Sequence, residues 1–212
     1  MKKILLIAAA LCLTALMLNC GGSQEEGADT QTSETDTTGY AGTADTSGML
    51  IVENMTTEEL EENYENIVIA EAPDFTVYDL NQNEIKLEDF EGFVLLMNFW
   101  SMEAPVSKRT FPTLSEIHNE FREDNFTVLG VCIDRRPIGR IQEAVDFNRL
   151  SFPAAFGSAE TYNSYAVTGP GKSVLIDKYG NIVGDFYDDP GAERLKKVIR
   201  LFLNIELNQD SE

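Results

Sequence analysis

Three cysteines (Cys12, Cys20 and Cys132) and one histidine (His118) are the side chains of this 212-residue sequence best suited to redox, nucleophilic or metal chemistry. No two of the cysteines are separated by two residues. The chain therefore has no pair in which one thiol attacks a disulfide and its neighbour resolves the product. One histidine and one internal cysteine are too small a donor set for a dedicated transition-metal site, and no cofactor is expected. Ser107 needs a base to become a nucleophile. His118 lies 11 positions further along the same helical run, roughly 16 Å away at the α-helical rise, so the two cannot meet. Glu103, Lys108, Arg109 and Asp134 offer acid–base groups, against the plainer reading of solvated charges at strand and helix ends. Cys132, inside the apolar run Val128-Leu-Gly-Val-Cys-Ile-Asp134, reads as a small buried residue, with a reactive thiol as the competing reading.

The elements that must position these groups follow from hydrophobic periodicity. Phe75, Val77, Ile85 and Leu87 alternate around Asn81-Gln82-Asn83 and predict a hairpin. Phe93 to Trp100 is an unbroken apolar run of strand length, as expected for a strand buried on both faces, and Phe126 to Ile133 is a second. Between them Phe111, Leu114, Ile117 and Phe121 recur at helical spacing, interrupted by Pro112. Ile141 to Leu150 predicts another helix. Ser173–Ile176 and Ile182–Tyr187 form a hairpin about Lys178-Tyr179-Gly180-Asn181, and Leu195 to Phe202 a closing amphipathic helix. Two buried strands joined by a helix imply a parallel pair. The expected class is α/β, a central mixed sheet with helices on both faces and an N-terminal β-hairpin.

The landmarks Ala72-Pro73-Asp74-Phe75, Leu87-Glu-Asp-Phe90, Val94 to Trp100, Val128 to Asp134 and Val174-Leu-Ile-Asp177-Lys-Tyr-Gly-Asn-Ile-Val183 occur in order. Together they resemble the thioredoxin-like redoxins, above all the exported TlpA/ResA-type thiol-disulfide oxidoreductases of the AhpC/TSA-redoxin kind. That resemblance implies a thioredoxin-like fold and a Cys-x-x-Cys motif at a helix start, where the helix N-terminus lowers the first thiol's pKa. In this chain the two cysteine positions are Ala104 and Ser107, held in register by Phe99-Trp100 before them and Pro112 after. The family's substrate-facing proline falls at Gly171, one place after Pro170. Trp100, Pro105 and Pro170 would border the family's substrate groove.

The remaining sequence concerns export and charge. Lys2-Lys3, the apolar run Ile4 to Leu18 and Asn19-Cys20 resemble a bacterial lipoprotein signal peptide over 1–19, with Cys20 as the lipidated residue. A plain signal peptide or an uncleaved anchor is the alternative. Residues 21–48 hold seven Thr, six Gly, three Ser and six acids, too little apolar surface to offset ordering entropy, so 20–48 is expected to be a tether. Residues 49–71 are expected to be a linker carrying a short helix begun at Thr56-Thr57-Glu58-Glu59, and 72–207 the domain. The formal charge is −20, and residues 20–85 contribute 16 acids with no Lys or Arg. That balance excludes nucleic acid as a partner.

Three function classes stand at this point. One is a redox-inactive, lipid-anchored module that binds an envelope protein or peptide, the helix N-terminus at Ala104 to Ser107 offering N–H groups to a carboxylate. The location expected is the bacterial cell envelope, facing the periplasm or outside, with the outer membrane favoured. A second is an oxidoreductase acting through Cys132 or an unrecognised chemistry, and a third is a structural subunit whose domain packs within an assembly.

Overall fold

The computed structural model describes residues 52–207. The leader, Cys20 and the 20–48 segment lie outside the described residues. An eight-stranded mixed sheet organises the fold, in the order β1 (Ala70–Glu71), β8 (Asn181–Tyr187), β7 (Lys172–Ile176), β4 (Val94–Trp100), β5 (Phe126–Cys132), β6 (Ala154–Phe156), β2 (Thr76–Asp79), β3 (Glu84–Lys86). At its centre β4 (Val94–Trp100) runs parallel to β5 (Phe126–Cys132), pairing Val94 with Phe126 through to Trp100 with Cys132. The connection is α2 (Pro105–Phe121). Every residue of β4 is buried, which explains why its sequence is a continuous apolar run rather than an alternating one. Leu96 and Trp100 join Val128 and Cys132 in one core, while Leu95, Met97 and Phe99 join Leu129 and Val131 in another on the opposite face.

The C-terminal hairpin of β7 (Lys172–Ile176) and β8 (Asn181–Tyr187) sits antiparallel against β4. The hairpin of β2 (Thr76–Asp79) and β3 (Glu84–Lys86) pairs Val77 with Ile85, as the alternation predicts, and joins the sheet through β6 (Ala154–Phe156). The helices α2, α3 (Ile138–Asn148) and α5 (Ala192–Asn204) place Leu114, Ile141 and Val198 in the first core. Tyr165, at the end of α4 (Ala159–Ser164), fills the second beside Phe75 and Phe99. Helix α2 continues through Pro112 without interruption. The strand β6 and the helix α4 were not legible, being three and six residues long.

The expected linker is a correction. Helix α1 (Thr57–Ile67) begins with the expected capping box, Glu59 N donating to Thr56 Oγ1 at 3.2 Å and Thr56 N to Glu59 Oε2 at 2.8 Å. It then buries Leu60 and Tyr64 in the first core together with Val52. Strand β1 (Ala70–Glu71) pairs with β8. Tyr64 donates to Asp177, and Asn181 Nδ2 donates back to the Tyr64 hydroxyl at 2.8 Å. The folded unit therefore includes residues 52–71, because their apolar side chains complete its core.

Candidate functional site

The strands β4 and β5 end in register at Trp100 and Cys132. The loops that follow, 101–104 and 133–137, thus meet at one end of the sheet, beside the first turn of α2. Open α/β sheets place ligands at this carboxyl end of their parallel strands. Asp134 ties the two loops together: its Oδ1 accepts from Ser101 Oγ at 2.9 Å and its Oδ2 from Met102 N at 2.7 Å. Asp134 is therefore a structural brace for the loop before α2, a role its position next to Cys132 does not reveal.

Ala104 is the N-cap of α2 and makes no side-chain cap bond; Pro105, exposed, takes the first helical position. Its missing N–H is one that a helix start leaves without an intrahelical partner, so proline fits there. Ser107 is 1% exposed, and its Oγ accepts from Ser101 N at 3.1 Å. The hydroxyl thus satisfies a backbone donor instead of facing solvent. His118 is buried further along α2, with Nδ1 accepting from Val128 N at 3.4 Å. Burial, with a lesser contribution from Arg122, holds its pKa below the ordinary histidine value. The structure does not bring Ser107 and His118 together.

Gly171 closes the other wall. Its φ is +93°, its N–H donates to Phe99 O at 2.7 Å, and a Cβ there would lie 2.7 Å from Val106 Cγ2. Proline needs φ near −65° and has no N–H, so it cannot occupy this backbone. Val106, in the first turn of α2, fills the space against the glycine. Pro170 beside it is half-buried. Trp100 is a correction: it is 0% exposed, packed edge-on to Phe111 at 5.4 Å, and it borders no groove. Alternation along β4 turns it into the core.

Cys132 is also fully buried. Burial pushes its thiol up to about 12. Its Sγ lies 3.9 Å from Asp134 Oδ2, and the nearby carboxylate disfavours a thiolate further. Next to Gly171, Lys172 is buried and ion-paired with buried Asp185 at 3.1 Å. The pair was missed, although alternation put Lys172 on the same inward face as Val174 and Ile176.

The two flanks of α2 differ. On one, Arg109 Nη2 pairs with Asp188 at 3.0 Å and Thr113 Oγ1 donates to Asp189 Oδ2 at 2.8 Å, clamping the loop after β8 onto the helix. On the other, Met102, Lys108, Arg140 and Phe147 line an open groove towards α3. Among the described residues, no group of three or more His, Cys, Asp and Glu is arranged to hold a metal ion.

Comparison with known proteins agrees with this architecture. The AhpC/TSA family model matches residues 68–184, more than half of the chain, and the protein belongs to that family. The thiol-disulfide oxidoreductase ResA of Bacillus thuringiensis is 28% identical over 131 residues, 61% of this chain and 75% of that protein. The thioredoxin domain of a thiol-disulfide oxidoreductase from Bacteroides vulgatus superposes with a TM-score of 0.56 at 27% identity, covering 63% of this chain and 95% of that one. A thiol:disulfide interchange protein from Bacteroides sp. gives 0.56 at 26% identity, covering 64% and 89%. The fold is thioredoxin-like.

Proposed function

We propose that this protein keeps the redoxin scaffold, has lost its dithiol chemistry, and acts in the bacterial envelope as a lipid-anchored module that binds a protein or peptide. The observation that carries this reading is the first turn of α2. Where the family resemblance puts two thiols, Ala104 offers no nucleophile and the Ser107 hydroxyl is spent on Ser101 N. Gly171 packed on Val106 leaves no room for the family's proline. Cys132 is no substitute, since its buried thiol is almost wholly protonated near neutral pH. The envelope location rests on the leader and on the likeness to thiol-disulfide oxidoreductases and interchange proteins.

The test is insulin reduction by dithiothreitol with the full chain in detergent. The expected rate equals that of dithiothreitol alone. Faster precipitation that Cys132→Ser abolishes would establish the oxidoreductase reading instead. The double variant Ala104→Cys, Ser107→Cys should gain a disulfide and measurable reductase activity, as expected of an emptied family site. Anchoring is read by labelling with an alkyne fatty acid, which Cys20→Ala should abolish.

A further inference from the structure

We infer that the groove between the first turn of α2 and helix α3 is the binding surface of this protein, and that its occupant is an acidic peptide segment carrying an apolar side chain. The inference rests on the proposed binding role. The groove consists of two adjoining hollows of about 310 and 210 Å³, which share Met102, Glu103 and Arg140. It opens at the carboxyl ends of β4 and β5, on the flank of α2 that the 188–191 loop leaves uncovered. Its apolar part is Met102, Ala144 and Phe147. Phe147 is 85% exposed on α3. An aromatic ring left in water beside a hollow is the kind of group that anchors an interface when a partner covers it.

The charges select the partner. Lys108 and Arg136 line the groove, and among the described residues neither has a carboxylate within 4.0 Å. Arg135 is exposed beside Arg136, and it too has no ion pair there. Arg140 reaches Glu143 at 2.6 Å, an exposed pair that a second carboxylate can share. Of the acids at the groove, Asp134 is spent bracing Ser101 and Met102, and Glu143 partners Arg140. Glu103 alone faces the occupant without a cation of its own. Among the described residues, Lys108 and Arg136 are therefore the groove cations without an ion pair, against the one such carboxylate of Glu103, and exposed Arg135 beside them adds a further positive charge. These uncompensated cations favour carboxylates.

The experiment uses the fluorescently labelled full chain in detergent on an array of random dodecapeptides, with affinities of the best sequences measured in solution. Bound sequences should be enriched in Asp and Glu next to Leu, Ile or Phe. Phe147→Ala, and the pair Lys108→Glu with Arg136→Glu, should each weaken the best sequence roughly tenfold. Glu103→Gln should tighten it, and binding should fall as salt rises. The inference is overturned by no binding, by enrichment in basic sequences, or by acidic binding that these substitutions leave unchanged. Self-association that Phe147→Ala disperses in sedimentation velocity would equally overturn it, making a second copy the occupant. Insulin reduction on the same preparations separates the two proposals: an inactive protein without acidic preference defeats the groove alone, whereas reductase activity defeats the reading beneath it.

Discussion

The inner face and the outer flank of the first turn of α2 lie within four residues of each other, and their polar groups are treated in opposite ways. Inward, Val106 packs on Gly171 and the buried Ser107 hydroxyl takes the Ser101 N–H, so the one hydroxyl at the emptied position is turned to an internal partner. Outward, Lys108 projects into a groove with Met102 and Phe147 and has no carboxylate partner among the described residues. A buried polar group left without its bond costs far more than an exposed one, because water serves the exposed group. The inner face is therefore organised for stability, and the outer flank retains surface whose interactions a partner can complete. The proposed binding groove lies on that outer flank, beside the turn where the family resemblance puts two thiols.

The sharpest way to break this contrast is to restore the family's residue on the inner face. Gly171→Pro loses the N–H bond to Phe99, forces φ away from +93° and drives a ring into Val106. It should cost roughly 4 kcal/mol, read as a lowered urea midpoint or failure to fold. Ser107→Ala leaves Ser101 N without its acceptor in a half-buried loop and should cost about 1–2 kcal/mol by the same measurement. If Ser107→Ala is neutral, water already serves that amide and the inner face is not closed.

His118 gives a smaller, pH-dependent effect. Burial lowers its folded pKa beneath the unfolded value, so the fold favours the neutral ring, which accepts from Val128 N. Its contribution is fully present above the unfolded pKa. It declines as pH falls below that value, because the unfolded chain takes up the proton first. The urea midpoint of the native protein should fall faster between neutral and mildly acid pH than that of His118→Gln. Equal slopes would remove His118 from the account. Smallest of all, Phe147→Ala should change stability by no more than about 0.5 kcal/mol, since the ring is 85% exposed. A larger loss would mean that Phe147 packs within the fold and is not held ready for a partner.

Much of the architecture was legible in the sequence because it depends on local periodicity. The run from Val94 to Trp100 is readable as a central strand from composition alone, and Thr56 with Glu59 announces α1 by the reciprocal bonds those side chains can reach. The three-residue β6 was not readable, since too few residues establish a period. The resemblance puts Trp100 at a groove, although its position in β4 turns it onto the core face with Leu96. In the sequence, residues 52–71 look like linker because an acidic surface helix hides the two side chains, Leu60 and Tyr64, that it buries. The buried partnership of Tyr64 with Asp177 spans 113 residues, a separation at which no local pattern carries information.

By itself the sequence determined which chemistries are possible, since that depends on residue type: without Cys-x-x-Cys, no adjacent dithiol can cycle in one molecule. It also determined the order of the longer strands and helices, which follows from apolar spacing along the chain. Only the tertiary structure decided what the remaining groups face. It turned Ser107 inward and buried Cys132 until its thiol holds its proton, and it left Phe147 and Lys108 lining one open groove. Burial, pKa and the pairing of charges are set by neighbours distant in sequence, and those neighbours exist only once the sheet has closed.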